Sequence, residues 1–99
     1  MNLQPSSPRR SRPLILAPLK GYTDAVFRNV FSRHFGGFDR AVAPFVPTVS
    51  GPRVRPELYT DLMPGKNRRL PVTPQIIGKS AKDFIQMARA LMDLGYERV

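Results

Sequence analysis

Short apolar runs alternate with helical stretches along most of this chain. Strands are predicted over 14–17, 39–43 and 72–77. The first is a continuous apolar run, the pattern of a strand covered on both faces, and the second is apolar at 41–43. Helices are predicted over 24–35 and 81–94. Successive strands begin roughly 25–33 residues apart, a spacing typical of βα units in a parallel sheet with right-handed crossovers. The fold class predicted is therefore α/β.

Each predicted helix carries one apolar stripe, and we expect both stripes to face the core. In the first helix the stripe is Val26, Phe27, Val30, Phe31 and Phe35, with Arg28, Asn29, Ser32 and Arg33 on the other side. The second helix begins at a capping-box pattern, Ser80-Ala81-Lys82-Asp83. Its stripe is Phe84, Met87, Ala88, Leu91 and Leu94.

The segment between the second and third strands has no clear period. It runs from Phe45 to Leu70, and its prolines and glycines leave room for one or two helical turns over 57–62. A segment this long and irregular is usually functional or mobile. Pro74, inside the third strand, predicts an edge, a bulge or a strand start. Residues 1–12 are predicted to be a disordered basic tail, and 13–99 to hold the first βα units of one domain.

The charge balance favours a polyanionic partner. The chain has 16 Lys and Arg against 7 Asp and Glu, a net charge of +9, which suits nucleic acid; a solvated basic surface is the alternative. The candidates for RNA contact are the basic residues of the irregular segment: Arg53, Arg55, Lys66, Arg68 and Arg69. The chain has no cysteine, membrane-length apolar run, secretory signal or paired metal ligands, so we expect a cytoplasmic protein without a membrane anchor or bound metal.

The candidate ligand-binding residues lie near the carboxyl ends of the predicted strands, where α/β proteins bind ligands. Pro18, Leu19 and Lys20 follow the first strand, and Leu19 could form an apolar wall for a flat ring. Lys20 faces a negative group or solvent. Gln75 is an amide inside an apolar run, and we expect it to be buried. A buried amide is hydrogen-bonded, here either to neighbouring backbone or to a heterocycle edge with carbonyl and imide groups.

Two motifs resemble those of the tRNA-dihydrouridine synthases. The first is Leu16-Ala17-Pro18-Leu19-Lys20-Gly21-Tyr22-Thr23-Asp24-Ala25-Val26-Phe27-Arg28, close to that family's opening Ala-Pro-Met-x-Gly-x-Thr-Asp-x-x-Phe-Arg. The second is Pro74-Gln75-Ile76-Ile77-Gly78, followed by a helix and Leu94-Gly95-Tyr96. The resemblance covers about residues 14–99, with the motifs in the family's order and spacing.

The resemblance implies the N-terminal portion of a (β/α)8 TIM barrel that binds FMN. NADPH would reduce the flavin, which would reduce a uridine of tRNA to dihydrouridine. Residues matching Pro18, Leu19 and Lys20 line the flavin in the family, and the residue matching Gln75 bonds its ring. The family's proton donor is a cysteine expected beyond Val99, so no catalytic residue lies in this chain. We therefore expect residues 1–99 alone to be inactive and to need the remainder of the barrel.

Two positions depart from the family pattern. Leu19 stands where methionine is usual, and Pro44 where an acidic residue is frequent, so the uridine position cannot be carried over from the family. Two other functions are compatible with the sequence: a non-catalytic basic RNA-binding module, and an FMN-dependent barrel oxidoreductase that acts on a small molecule.

Overall fold

The computed structural model describes residues 12–99, so the predicted tail lies almost wholly outside the described residues. Its strands are β1 (Ile15–Leu16), β2 (Arg40–Val42), β3 (Val46–Pro47), β4 (Val72–Thr73) and β5 (Ile76–Ile77). Its helices are α1 (Ala25–His34) and α2 (Ala81–Asp93), with 3₁₀ segments at Pro56–Leu62 and Pro64–Lys66. The helical turns predicted over 57–62 are confirmed.

All strand pairs are parallel, as the repeat spacing predicts. One sheet has the order β1-β2-β4, and β3 pairs with β5. The register places Leu16 beside Ala41, and Ala41 beside Val72. The described chain is thus α/β with parallel strands, an arrangement compatible with the opening units of a (β/α)8 barrel.

A bulge interrupts the pairing between residues 40–47, the first stretch, and residues 72–77, the second. The first contains Pro44 and the second Pro74, and a proline has no N–H for the ladder. Before the prolines, the Ala43 N–H donates to the Thr73 carbonyl at 3.0 Å; after them, the Val46 N–H donates to the Gln75 carbonyl at 2.8 Å. The first stretch advances by three residues between these bonds and the second by two, which defines a β-bulge. The sequence-based prediction ended the second strand at Pro44 and missed the resumed pairing at β3.

Helix α2 supplies the core as predicted. Ser80 caps it by accepting a hydrogen bond from the Asp83 N–H at 3.3 Å. Met87 and Leu91 of its stripe are fully buried with Ala43, Val46 and Leu62. Full burial of such a side chain contributes about 1.5–3 kcal/mol. The core therefore lies between α2, the bulged strands and the first 3₁₀ segment.

Strand β1 has no such cover in the described structure. Leu14 and Ile15 are exposed. The prediction that 14–17 is covered on both faces is therefore wrong for residues 12–99. Helix α2 packs on the sheet at β5, away from β1, which explains why its core does not extend to this strand.

Helix α1 is oriented opposite to the prediction. Its predicted core stripe is largely exposed, with Val26 70% accessible, whereas Arg28 on the polar side is only 1% accessible. The stripe packs on itself, and the rings of Phe27 and Phe35 lie 5.8 and 4.9 Å from the ring of Phe31. A buried guanidinium needs acceptors for its charge, and most of the acceptors of Arg28 lie on the irregular segment; its Nε has no partner among the described residues.

Arg28 forms four hydrogen bonds, three of them to that segment and one to the turn before α1. One terminal nitrogen donates to the Thr23 carbonyl at 2.8 Å and to a carboxylate oxygen of Asp61 at 2.9 Å. The other donates to the Asp61 carbonyl at 3.1 Å and to the Asn67 side-chain oxygen at 2.8 Å. The second carboxylate oxygen of Asp61 accepts the Ala25 N–H at 2.6 Å. We call Arg28, Asp61 and Asn67 the arginine cluster.

Neighbouring contacts extend this attachment. Asn29 donates from its amide to the Lys66 carbonyl at 2.6 Å, and Asn67 donates to the carbonyl of Met63 at 3.0 Å. The Tyr96 hydroxyl donates to the Leu62 carbonyl at 2.6 Å. Burial raises the pKa of Tyr96, against the opposing effect of the nearby Arg28 charge. Residues 96–99 pair with no described strand.

We predict that breaking the arginine cluster destabilises the protein strongly. Arg28→Met leaves the Asp61 carboxylate without its cation and should lower the free energy of unfolding by about 3–5 kcal/mol. Adding Asp61→Leu should recover part of that loss, because both charges are then gone. Urea unfolding of the protein expressed from its complete reading frame measures both values.

Arg33→Met is the matched control, since Arg33 is an exposed arginine in the last turn of the same helix. Its effect should stay within about 0.5 kcal/mol. Equal losses for Arg28→Met and Arg33→Met would contradict a stabilising role for the cluster.

Candidate functional site

The turn after β1 is closed by Thr23. The Thr23 N–H donates to the Leu19 carbonyl at 3.0 Å, and its hydroxyl oxygen accepts the Leu19 N–H at 2.8 Å. Gly21 within the turn has φ +87°, a conformation that disfavours residues with a side chain. Asp24, not Thr23, caps α1, by accepting the Phe27 N–H at 2.9 Å. The turn is therefore a fixed structure that leaves Leu19 exposed.

This turn also contacts the arginine cluster. The Thr23 carbonyl is one of the four acceptors of Arg28, so one guanidinium holds both the turn and the irregular segment. Sequence analysis missed this role, because it assigned Arg28 to the solvent side of the helix. The available signal was an arginine within the first family-like motif, together with an acidic residue in the irregular segment.

Lys20 reaches from the turn to the bulge. Its ammonium donates to the Phe45 carbonyl at 3.1 Å and lies 5.1 Å from the centre of the Phe45 ring. Such a cation–π contact at an exposed site contributes about 0.5–1 kcal/mol. The next residue, Val46, donates its N–H to the Gln75 carbonyl. Lys20, Phe45 and Gln75 thus lie side by side on three neighbouring stretches of chain, which follow β1, β2 and β4. We call these three residues the row.

Phe45 is the member of this row that sequence analysis did not find. It lies in the bulge between β2 and β3, and its position depends on pairing that resumes beyond Pro44. No periodicity marks such a residue. The only signal was the proline itself, since a proline within an extended stretch can indicate a bulge.

Gln75 differs from its prediction. It was expected to be a buried amide, but its side chain is exposed on the sheet face that α2 does not cover. The neighbouring Pro74 and Ile76 are buried and half-buried. Strand alternation therefore directs Gln75 to the opposite face.

The row, together with the adjoining Leu19, offers a set of groups that suits a flat heterocycle. Leu19 and Phe45 present apolar surface, Lys20 a positive charge, and Gln75 both a hydrogen-bond donor and an acceptor. Pro18 is exposed beside them. An apolar wall with a few convergent polar groups is the usual composition of a cofactor site. The residues predicted to hold a flavin fit that ligand in their chemistry.

The five basic residues predicted to contact RNA are all exposed, but they occupy different parts of the fold. Arg53 and Arg55 precede the first 3₁₀ segment, at Pro56. Lys66 lies beside α1, because its carbonyl accepts a hydrogen bond from the Asn29 side chain. Arg68 and Arg69 lead from there to the amino-terminal end of β4, away from the row.

Among residues 12–99, no three His, Asp or Glu side chains converge as metal ligands. No helix in that range is both long and apolar enough to cross a membrane.

Comparison with known proteins gives one informative match. The chain is 30% identical over 99 residues to a probable tRNA-dihydrouridine synthase of Rhodobacter capsulatus. The match covers 98% of this chain and 29% of that protein, so the chain spans less than a third of its relative's length. No protein-family model and no solved structure matches the chain. The printed name of this relative is that of the family which the two sequence motifs resemble.

Proposed function

We propose that this chain forms the opening βα units of the FMN-binding barrel of a tRNA-dihydrouridine synthase. The observation that carries the proposal is the row Lys20, Phe45 and Gln75, which brings both family-like motifs to adjacent positions. The relative's printed name describes the same activity, and the parallel βα order suits a barrel of about 250 residues.

The proposed site assigns separate tasks to its residues. Leu19 and Phe45 would cover the flavin and exclude water, which strengthens electrostatic contacts inside the site. Gln75 would bond the carbonyl and imide edge of the ring, and Pro18 would border it. Lys20 would stay close enough to favour negative charge on a reduced ring. When bound, FMN supplies the hydride that NADPH provides and that uridine accepts.

The proton that completes uridine reduction needs another group. Phe45 and Gln75 carry no acidic proton, and the Lys20 ammonium is assigned above to the charge of the ring. The acid is proposed to be a cysteine after the strand that follows Val99, as the resemblance implies.

The direct test is a reaction with tRNA that lacks dihydrouridine. The protein expressed from its complete reading frame should copurify with FMN and, with NADPH, add two hydrogens to a tRNA uridine, detected by mass spectrometry. Flavin without tRNA reduction would favour a barrel oxidoreductase acting on a small molecule. tRNA binding without flavin would favour the non-catalytic RNA-binding module. Either outcome contradicts the proposal.

We predict that Gln75→Leu weakens FMN binding. The substitution leaves polar groups of the ring without partners, at a cost of about 1–3 kcal/mol, or roughly 5- to 150-fold in Kd. Fluorescence titration of the flavin-free protein measures the change. Gln86→Leu is the control, because Gln86 lies on α2 and outside the row. Equal affinity of the Gln75→Leu variant and the parent would remove Gln75 from the site.

We also predict that the basic segment contributes to tRNA affinity. Neutralising Arg53, Arg55, Lys66, Arg68 and Arg69 should flatten the dependence of log affinity on log salt, because fewer counterions are released. The arginine cluster strengthens this expectation: it pairs Asp61 internally and leaves Glu57 as the only other acid of the segment. An unchanged salt slope would assign these side chains to an ordinary solvated surface.

A further inference from the structure

An open groove of about 1050 Å³ lies beside α2, and neither motif accounts for it. One wall is the turn of Ser50, Gly51 and Pro52, and the other includes Lys82, Gln86 and Arg89 of α2. The Ser50 hydroxyl donates to the Asp83 carboxylate at 3.3 Å and so joins the two walls. The groove is therefore part of the fold of residues 12–99.

The rim of this groove is basic. Lys82 and Arg89 are exposed on one wall, Lys79 lines the adjoining depression that shares Ser80, and Arg53 directly follows Pro52. None of these four cations forms an ion pair with a described residue. The lining contains one acid, Asp83, which accepts the Ser50 bond and keeps its charge. Lys82 and Arg89 therefore give the described lining a net positive charge, with the amide of Gln86 and the hydroxyl of Ser50 beside them.

The groove lies at the same end of the sheet as the proposed flavin site. Its first wall follows β3, and its second follows β5 through Gly78 and Ser80. Both walls therefore stand at the carboxyl ends of parallel strands. Arg68 and Arg69, by contrast, lead to the amino-terminal end of β4.

We propose that this groove binds the sugar–phosphate backbone of the tRNA substrate. The proposal rests on the proposed function, since a nucleotide delivered to the strand ends must bring its flanking backbone across this edge. Lys82 and Arg89 would contact phosphates, and Gln86 and Ser50 would contact phosphate or ribose oxygens. Such contacts position a nucleic acid without reading its sequence. Sequence analysis did not assign Lys79, Lys82 or Arg89 to RNA binding.

The first experiment compares two double variants with the same change of charge. Lys82→Gln/Arg89→Gln removes the groove cations, and Arg33→Gln/Arg98→Gln removes two exposed cations that do not line the groove. Filter binding of tRNA is measured across salt concentrations. The groove variant should make the negative slope of log affinity against log salt shallower by roughly 1.4–1.8, the effect of two lost phosphate contacts. The control variant should change the slope much less.

Three outcomes overturn the groove proposal. If the parent reduces uridine in tRNA but the groove variant shows an unchanged slope, the groove proposal is overturned and the proposed function stands. Equal losses in both double variants overturn it as well, since the effect is then one of net charge. A parent that fails to bind tRNA, or that prefers an acidic peptide to tRNA in competition, overturns both this proposal and the proposed function.

The second experiment locates the RNA. A photoreactive benzoylphenylalanine at Gln86, within the groove, should crosslink to tRNA on irradiation. The same group at Met92, exposed on the later part of α2 and outside the groove, should crosslink much less. Equal crosslinking at the two positions would contradict the proposed backbone site.

Discussion

The buried ion pair between Arg28 and Asp61 is the interaction on which much of this structure depends. The two residues are 33 positions apart, and their closest charged atoms are 2.9 Å from each other. Arg28 is 1% accessible, and a buried charge of this kind is tolerable only when it is paired. Both terminal nitrogens find acceptors at the turn at Thr23, at Asp61 and at Asn67, whereas the buried Nε has no partner among the described residues. One side chain thus joins α1, the turn before it and the irregular segment.

This pair explains two features that otherwise look unrelated. The segment 45–70 has no helical or strand period, yet its later half is fixed against the first turns of α1 by hydrogen bonds. The phenylalanines of α1 are turned outward, because the same face cannot present both Arg28 and the apolar stripe to the segment. The cluster also sets the position of the turn that carries Leu19 and Lys20. Local stability and the geometry of the proposed site therefore share one physical origin.

Sequence analysis predicted the elements whose causes are local. The capping box at Ser80 and the stripe of α2 were found, because cap chemistry and periodicity act within a few residues. The parallel order followed from the repeat spacing. The orientation of α1 was missed, because an amphipathic pattern does not reveal which face finds a distant partner. Pairing beyond Pro44, and with it the place of Phe45, depends on a bulge formed with another strand. The exposure of Gln75 depends on which sheet face α2 covers.

The central claim is that Lys20, Phe45 and Gln75 form one site that holds a flavin. The described chain has no tryptophan, so Phe45→Trp introduces an emitting group at the middle of the row while keeping an aromatic partner for Lys20. The measurement is a titration of the flavin-free Phe45→Trp protein with FMN. The emission of the parent protein is subtracted from that of the variant, and the difference is the added emission. The account predicts that this added emission is quenched with the same midpoint as flavin binding. Added emission that is unchanged while FMN binds would place the flavin elsewhere and contradict the account.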